Sequence, residues 1–393
     1  MVEGQLMTVN KIYGISELGF DVPALPGMTI NDIQTPSLII DMDNFDENLG
    51  RMAEAIAPYD ISLRSHAKMH KSVDVARQQL TYEQARGICC QKVSEAEVFA
   101  RAGITDILIT NQVCDPVKIE RLAGIAASGC RVSVCIDDKA NIDALSAEAK
   151  KQNVHIHCLV ELECGAGRCG VAEEGQATAL ATALEAADHL IFDGLQAYQG
   201  RIQHEPDHHQ RKTELDAVIL KVKACLDSLA AAGLSCPVVS GGGTGSFLFE
   251  ASSGVYTEIQ CGSYVFMDAD YGRIKNQDGD RLDDADWKNA LFLLTSIMST
   301  AKEGQAVCDA GLKVQSVDSG LPTIFGREDI AYITCSDEHG VIEDKYNILK
   351  INDKLRLVPG HCDPTCNLHD WYVCVRNDVV VDLWPVSARG KSW

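Results

Sequence analysis

No stretch of the sequence approaches the roughly 20 consecutive apolar residues that a membrane-spanning helix requires. The first residues, MVEGQLMTVNKIYG, lack both the basic and the apolar segment of a secretory signal peptide, so we expect a cytoplasmic protein. Basic residues are also scarce, with 35 Lys+Arg against 56 Asp+Glu and a formal net charge of -21. Because nucleic acids and anionic membranes are bound through basic patches, neither is an expected partner.

Internal repeats, low-complexity tracts and long linkers are absent as well. The 393 residues exceed one average core but suit a barrel of about 250 residues with a smaller second domain. Sixteen cysteines lie mostly in apolar runs such as GICC, which indicates reduced core thiols rather than disulfides. Cys362 and Cys366 are spaced like a metal-binding pair, but no second pair lies near them.

From residue 60 onward, apolar segments alternate with amphipathic helices. This alternation predicts a (β/α)8 barrel, with a doubly wound open sheet as the alternative. We expect a capping box at Ser94 and Glu97, a helix start at Asp115-Pro116 and a long helix over 207–229. The eight predicted strands cover 61–66, 87–93, 106–110, 131–137, 155–163, 192–198, 237–241 and 258–266.

Three regions follow from this pattern. Residues 1–58 form an N-terminal segment whose strand is expected to join a β domain, and residues 59–268 form the barrel. Residues 269–393 read as short strands and turns, which predicts a C-terminal β domain.

A basic, histidine-rich run, RSHAKMHKS (64–72), directly follows the first predicted strand. In a parallel barrel, reactive groups lie at the carboxyl ends of the strands, where Lys68 falls. Partial burial and the cationic neighbours Arg64 and Lys71 are both expected to favour its neutral, nucleophilic amine. Lys68 is therefore a candidate for imine formation, although the run taken alone also fits a solvated loop.

Two glycine-containing turns are predicted at the same edge of the barrel. SGGGTG (240–245) follows the seventh predicted strand and CGS (261–263) lies in the eighth, where barrels commonly bind phosphate through backbone N–H groups. Glycine lets the backbone approach an anion closely. A phosphate site and an imine-forming lysine at one edge together indicate pyridoxal 5'-phosphate.

Three further side chains are predicted at the ends of strands. Arg168 in ECGAGRCGV would either tune the electron withdrawal of the cofactor or bridge carboxylates of its loop. Tyr198 and Tyr264 follow the sixth and eighth strands, and each fits either core packing or a cofactor contact.

The segment PGHCDPTCNLHDW (359–371) is dense in histidine, cysteine and aspartate. On an extended segment His361 and Asp363 would point the same way. An imidazole and a carboxylate with waters suit Mg²⁺ or Mn²⁺, whereas a thiolate would favour Zn²⁺. A polar turn without a metal is the alternative, and His369 and Asp370 are expected to be structural.

The sequence resembles the D-threonine aldolase and D-serine dehydratase family, which has the alanine-racemase-like fold of fold type III pyridoxal phosphate enzymes. The resemblance covers nearly the whole chain and is strongest to the β-hydroxyaspartate aldolase branch of glycolate and glyoxylate assimilation. It implies a homodimer, because this fold builds its sites where the barrel of one subunit meets the β domain of the other. The motifs that carry it are RSHAKMHKS, ECGAGRCGV, LQAYQG, SGGGTGS, CGSYVFMDADYG, DAGLKVQSVDSG and PGHCDPTCNLHDWYV.

The resemblance also implies roles for individual residues. Lys68 matches the lysine that carries the cofactor, Arg168 matches the arginine near its phenolate oxygen, and His361 with Asp363 matches the metal-binding pair. Contacts to the phosphate and ring are implied for Gln91, Tyr198, Ser240, Gly241, Gly242, Gly243, Thr244, Gly262, Ser263 and Tyr264.

The residue at position 363 bears on the reaction. The dehydratases of the family tend to have H-x-C, whereas this chain has H-x-D like the aldolases. We therefore expect retro-aldol cleavage of 3-hydroxy-D-aspartate to glycine and glyoxylate. The alternatives are a D-threonine aldolase, a D-3-hydroxyaspartate or D-serine dehydratase or a racemase on the same scaffold, or a non-catalytic pyridoxal phosphate carrier, which would generally lack the β domain.

Two roles stay open at this point. The base that takes the proton of the β-hydroxyl is Lys68, a metal-bound hydroxide or His204. The cation that binds the β-carboxylate is Arg64, Arg201 or Lys313.

Overall fold

The chain forms two units in a computed structural model that describes residues 17–393. The first unit comprises Met1–Leu49, Val265–Arg273 and Asp283–Arg389, and the second comprises Gly50–Tyr264, Ile274–Leu282 and Gly390–Trp393. The expectation about a signal peptide falls on residues outside the described part. The boundaries predicted at residues 58 and 268 stay predictions.

The first elements of the chain are strand β1 (Ser37–Asp41) and helix α1 (Met42–Ile56). Both were expected from the apolar run SLII and the helical spacing of Phe45, Leu49 and Met52 that follows it. Phe45 is fully buried and its ring packs against Trp384 and Phe266 of the same unit.

Eight parallel strands close into a barrel in the second unit, which confirms the predicted fold class and each predicted strand. The strands are β2 (Ser62–His66), β3 (Ala85–Cys90), β4 (Asp106–Ile109), β5 (Arg131–Ile136), β6 (Ile156–Glu161), β7 (Leu190–Gln196), β8 (Val238–Gly241) and β9 (Glu258–Ile259). The helices between and after them are α2 (Val73–Gln79), α3 (Val93–Arg101), α4 (Pro116–Ala127), α5 (Lys139–Gln152), α6 (Glu174–Glu185), α7 (His208–Ala231) and α8 (Phe247–Ser252).

Local signals at the ends of these elements were less reliable. Strand β9 stops at Ile259, and the segment predicted to extend it contains a 3-10 helix at Ser263–Val265 instead. The capping box predicted at Ser94 and Glu97 is wrong, because α3 begins at Val93 and Glu95 accepts the N–H of Lys92 at 3.0 Å. The predicted start of α4 is confirmed, since Asp115 accepts the N–H of Lys118 at 3.1 Å.

The first unit is built on a nine-stranded sheet to which β1 contributes a central strand. Ile39, Phe292 and Val373 lie in its apolar core. The short helices of this part are α9 (Ala269–Gly272), α10 (Leu282–Ala285) and α11 (Cys362–Cys366). The strands are β10 (Leu291–Lys302), β11 (Gln305–Cys308), β12 (Thr323–Ile324), β13 (Ala331–Cys335), β14 (Gly340–Glu343), β15 (Lys354–Val358), β16 (Trp371–Arg376) and β17 (Val379–Pro385).

All sixteen cysteines are free thiols, and most of them are buried, as predicted. Among residues 17–393 no helix is both long and apolar enough to cross a membrane. The expected cytoplasmic location stays a prediction.

A group of charged side chains fills the amino end of the barrel. Asp106, Arg131 and Glu258 are the first residues of their strands. Arg64 of β2 binds Asp106 at 2.6 Å and Glu258 at 2.9 Å, and Arg131 binds Asp193 of β7. We call these five residues the basal ion network. In barrels of this type the amino end serves stability, whereas the opposite end carries the chemistry.

Candidate active site

Lys68 lies in a turn at residues 67–70, where β2 ends at the carboxyl edge of the barrel. Backbone hydrogen bonds hold this turn, from the N–H of Ala67 to the carbonyl of Cys89 and from the N–H of Lys71 to the carbonyl of Ala67, both at 2.8 Å. The side chain of Lys68 is half-buried. The amine therefore stands at the predicted edge on a backbone that is tied to strand β3.

The cationic neighbours of Lys68 differ from the expectation. Arg64 is only 2% exposed and belongs to the basal ion network, and Lys71 Nζ lies 2.6 Å from Glu95 Oε1. Burial opposes the charge of Arg64, but Glu258 and Asp106 outweigh it and raise the pKa of the guanidinium. Because carboxylates pair with both cations, the net positive charge near Lys68 is reduced. The prediction that these cations favour its neutral amine stays a prediction, and the half-buried side chain of Lys68 agrees with the other part of that argument.

Three predicted cofactor contacts follow other strands of the barrel at the same edge. Gln91, just past β3, donates to the carbonyl of Thr110 and accepts the Thr110 hydroxyl, both at 3.2 Å. Tyr198 follows β7 and is half-buried. Arg168 lies in the loop after β6, with its side chain 57% exposed and Nη2 4.0 Å from Glu161 Oε1. Because the guanidinium of Arg168 is exposed and only loosely paired with Glu161, it can bind a second anionic group.

The glycine-rich segment after β8 forms a tight turn, which we call the phosphate turn (residues 242–246). Gly242 has φ +78°, a conformation that side chains with a Cβ rarely adopt. The hydroxyl oxygen of Thr244 is buried and has no hydrogen-bond partner in the described part of the chain. A buried polar atom without a partner is costly, so it indicates a group that binds there. A phosphate oxygen fits this requirement.

Ser240 and Gly241 belong to strand β8 rather than to the phosphate turn. The Ser240 hydroxyl donates to Glu258 Oε1 at 2.6 Å, so this side chain faces the barrel interior. A Cβ on Gly241 would lie 2.2 Å from the carbonyl oxygen of Ala197, which means that glycine is required there by the close approach of two strands. Any role of these two residues toward phosphate is restricted to their backbone.

Gly262 connects the CGS segment to the turn that carries Lys68. A Cβ on Gly262 would lie 3.0 Å from the carbonyl oxygen of His66, the last residue of β2. Ser263 is buried and begins the 3-10 helix that follows. The two segments predicted to hold the lysine and part of the phosphate are therefore in direct contact.

Tyr264 occupies the barrel interior. Its hydroxyl lies 3.3 Å from Ser65 Oγ and accepts a hydrogen bond from Gln79 at 3.4 Å. The side chain is 1% exposed, and burial raises the pKa of the phenol. The sequence allowed either core packing or a cofactor contact for Tyr264, and these hydroxyl contacts favour core packing.

Sequence reasoning missed three linked side chains, Ser246 at the end of the phosphate turn and Gln203 and Glu250 beneath it, which we call the support set. Each is at most 2% exposed. Gln203 accepts the N–H of Gly245 at 2.9 Å and donates to Ser246 Oγ at 2.7 Å, and Ser246 donates to Glu250 at 2.8 Å. The available signal was a glutamate four residues after Ser246 within the apolar run FLFEAS.

His361 and Asp363 lie in the first unit, after strand β15. His361 Nδ1 is 2.8 Å from Asp318 Oδ2, and Ser316 Oγ donates to the other oxygen of Asp318 at 2.6 Å. A histidine whose one nitrogen is held by a carboxylate presents its other nitrogen to a metal, which is the usual arrangement of a ligating histidine. This donor set fits a divalent cation completed by waters.

The conformation of this segment differs from the expected extended one. His361 is extended and caps α11, and Asp363 lies in the first turn of that helix. A contact at the start of the helix explains the difference. Asp268, 94 residues away in the chain, accepts the N–H of Cys362 at 2.8 Å and so stabilises the first turn of α11. Within residues 17–393 no cluster of three His, Cys, Asp or Glu side chains suits a metal, so Cys366 completes no such site.

The remaining predicted residues differ in their contacts and in their place in the fold. His369 Nε2 donates to the carbonyl of Val314 at 2.7 Å and Asp370 pairs with Arg389, contacts that fit the structural roles expected of both. Lys313 is exposed and pairs with Glu338. His204 ends a 3-10 helix at Arg201–His204 on the carboxyl edge of the barrel.

Arg201 differs from the other two candidate cations. Its side chain is exposed, its Nη2 lies 3.7 Å from the position that a Cβ on Gly167 would take, and no ion pair to it occurs in the described chain. It therefore stands beside the loop of Arg168 at the carboxyl edge, with its charge uncompensated.

Comparisons with known proteins identify the family of this chain. Residues 40–270 match the model described as alanine racemase, N-terminal domain, and residues 290–375 match a putative serine dehydratase domain. The chain is 57% identical to the 3-hydroxy-D-aspartate aldolase of Paracoccus denitrificans (strain Pd 1222), over 96% of this chain and 97% of that one. It is 42% identical to the D-threonine aldolase of Arthrobacter sp, over 94% and 96% of the two chains.

A solved structure extends the agreement to the backbone. The D-threonine aldolase from Filomicrobium marinum matches with a TM-score of 0.91 and 41% identity, covering 95% of this chain and 100% of that one. The predicted family resemblance and its fold are thereby confirmed. The chain belongs to the alanine racemase-like family of pyridoxal-phosphate-dependent enzymes, among the members whose barrel is joined to a serine dehydratase-like domain.

Proposed function

We propose that this protein is a pyridoxal-phosphate-dependent and divalent-metal-dependent aldolase that cleaves 3-hydroxy-D-aspartate to glycine and glyoxylate. The strongest sequence support is the 57% identity to a 3-hydroxy-D-aspartate aldolase. The structural observation that carries the proposal is the contact of Gly262 with the backbone of His66, two residues before Lys68. It joins a candidate phosphate-binding segment to the candidate cofactor lysine at one edge of the barrel.

Different residues at the carboxyl edge of the barrel would bind the aldehyde, the phosphate and the ring of the cofactor. Lys68 attaches the cofactor through its aldehyde, the phosphate turn and Thr244 bind its phosphate, and Gln91, Arg168 and Tyr198 line its ring. The bound cofactor accepts the electron pair that is left on Cα when the Cα–Cβ bond breaks. Lys68 would also be the group that returns a proton to Cα and so completes glycine.

His361 and Asp363 supply the second part of the chemistry. Together with waters they hold Mg²⁺ or Mn²⁺, which lowers the pKa of the β-hydroxyl whose proton must leave. Asp318 fixes the ring of His361, so the histidine does not have to reorganise when the ion binds. An aspartate at position 363 favours these hard cations over Zn²⁺.

Arg201 is the cation for the β-carboxylate of the substrate. Arg64 forms ion pairs with Glu258 and Asp106, and Lys313 forms one with Glu338. No carboxylate of the described chain pairs with Arg201. A carboxylate bound by a guanidinium is a strong, directional contact. D-threonine has a methyl group in place of this carboxylate, so Arg201 favours 3-hydroxy-D-aspartate over D-threonine.

The direct test is to identify products. Purified protein is incubated with 3-hydroxy-D-aspartate, D-threonine or D-serine in the presence of Mn²⁺ or Mg²⁺. We expect glycine and glyoxylate from the first substrate, with slower cleavage of D-threonine. A keto acid with ammonia would instead show a dehydratase, and an epimer would show a racemase.

The metal assignment has its own test. Replacement of Asp363 by alanine removes one of two protein ligands, so we expect at least a hundredfold loss of activity at fixed Mn²⁺ and a weaker Mn²⁺ affinity measured by electron paramagnetic resonance. The matched control is Asp337→Ala, an exposed aspartate of the same unit. Undiminished activity and Mn²⁺ affinity in Asp363→Ala would remove the metal from this position.

We also infer that the protein is a homodimer, on the support of the family whose fold uses two subunits. Sedimentation at micromolar concentration tests this. A monomer that retains full activity would contradict it.

A further inference from the structure

Glu250 is a buried acid that the proposed reaction does not use. It lies on α8 and is 1% exposed. Its Oε1 accepts the Ser246 hydroxyl at 2.8 Å, whereas Oε2 is buried and has no hydrogen-bond partner in the described part of the chain. Burial raises the pKa of this carboxyl to about 7, and no cation contributes to the shift.

The carboxyl lies directly beneath the phosphate turn. A Cβ on Gly242 would be 3.2 Å from Glu250 Cδ, and a Cβ on Gly243 would be 2.6 Å from Gln203 Oε1. Two consecutive glycines are thus required because the support set packs against their backbone. Since Gln203 donates to Ser246 and Ser246 donates to Glu250, the charge on Glu250 influences the hydrogen bonds that shape the turn.

Among residues 17–393, no cation contributes to the environment of Glu250 and offsets a negative charge there. Tyr256 and Cys261 face it from the segments that follow α8 and β9, and burial raises the pKa of both, so they stay neutral. From α7, His208 and Arg211 contact the ring of Phe249 rather than Glu250. An ionised Glu250 would therefore stand close to a bound phosphate without a compensating cation.

We propose that Glu250 is a positioning residue that supports the phosphate turn as an uncharged acid and weakens the binding of the phosphorylated cofactor when it ionises. This inference rests on the proposed use of pyridoxal phosphate at the phosphate turn. The physical basis is like-charge repulsion in a buried site, where water screens little of it. The group binds a proton below its pKa, so phosphate affinity is full on the acid side and falls as the pH rises through about 7.

The test compares pyridoxal phosphate with pyridoxal, which has the same aldehyde and ring but no phosphate. Dissociation constants of both are measured for the full-length apoenzyme between pH 6 and 8.5 from the visible absorbance of the lysine-bound cofactor. The ratio of the two constants isolates the phosphate and cancels the titration of the lysine. In the native protein we expect the phosphate advantage to fall about tenfold over this range, after correction for the ionisation of the phosphate itself.

Two variants show whether Glu250 is responsible. Glu250→Gln keeps the shape but cannot ionise, so its ratio should be flat after the same correction. Ser246→Ala removes a donor that stabilises the charged form, so the midpoint of the fall should move to higher pH. The matched control Glu174→Gln, an exposed residue on α6, should keep the native profile.

Each outcome decides the question. A native ratio without a pH-dependent fall, a Glu250→Gln variant that keeps the fall, or an unmoved midpoint in Ser246→Ala would overturn the inference. If Glu250→Gln does not fold, the midpoint in Ser246→Ala still decides. Failure of the proposed function is distinct, because it would appear as an absence of lysine-bound cofactor or of glyoxylate formation in the native protein.

Discussion

We expect a single side chain, Arg201, to separate two substrates that differ by a methyl and a carboxylate. Replacing it with glutamine removes a charge-assisted contact worth about 1.5–3 kcal/mol, so the KM for 3-hydroxy-D-aspartate should rise roughly 10- to 100-fold. D-threonine makes no such contact, and its kinetics should change less than threefold. Steady-state assays with both substrates measure this difference. Arg327→Gln, at a half-buried arginine paired with Asp329, is the control, and equal effects on both substrates would contradict the role of Arg201.

The choice of Lys68 as the cofactor lysine is also a prediction about one residue. Lys68 and Lys71 are three positions apart, but Lys71 is held by Glu95 and has φ +51°. We expect Lys68→Ala to abolish the visible absorbance of the bound cofactor. Lys71→Met should keep that absorbance while losing stability, because it leaves Glu95 buried without its partner. Retained absorbance in Lys68→Ala would mean that another lysine carries the cofactor.

The phosphate turn acts as one element whose glycines are fixed by what lies beneath them. A methyl group at position 243 would meet Gln203 Oε1 at 2.6 Å, so Gly243→Ala must displace Gln203 and loosen its bond to Gly245. The dissociation constant of pyridoxal phosphate should rise at least tenfold. Gly124→Ala is the control, since this glycine lies in α4 with open space around it, and alanine there should stabilise the helix by about 0.5–1 kcal/mol.

Elements were predictable from the sequence where the signal was local and repeated. Seven of the eight barrel strands have four to seven residues and lie in largely apolar segments, whereas β9 has only two, and Asp115-Pro116 carries its helix start within two residues. Prediction failed where several local solutions competed. Glu95 and Glu97 both suit a helix cap, and the sequence could not show that Glu97 would bind Arg121 of the next helix.

The candidate site shows the same division. The turns with Lys68 and the glycines were predictable because the ends of parallel strands meet at one edge of a barrel. The partners of Arg64 were not, because Asp106 and Glu258 lie 42 and 194 residues away in the chain. The support set was missed for a related reason, since Gln203 and Gly245 are 42 residues apart.

At the scale of the whole molecule, the charge opposes the proposed ligands. A formal net charge of -21 repels both an amino acid with two carboxylates and a phosphorylated cofactor. Binding must therefore depend on a few local groups, and Arg168 and Arg201 provide exposed positive charge at the carboxyl edge. At the amino end of the barrel, Arg64 and Arg131 are paired with carboxylates of the basal ion network. A strongly acidic protein can therefore still have positive charge at the carboxyl edge, where the ligands are proposed to bind.

The basal ion network links this separation of roles to the stability of the whole molecule. Replacing Arg64 with methionine leaves Glu258 buried without its cation and removes the closer of the two arginines that pair with Asp106, which should lower the free energy of unfolding by about 3–5 kcal/mol. The double variant Arg64→Met/Glu258→Gln removes one of the stranded charges and should recover part of that loss. Thermal and denaturant unfolding measure both effects. At temperatures where the single variant stays folded, its KM for 3-hydroxy-D-aspartate should equal the native value, whereas a raised KM with unchanged stability would return Arg64 to the substrate site.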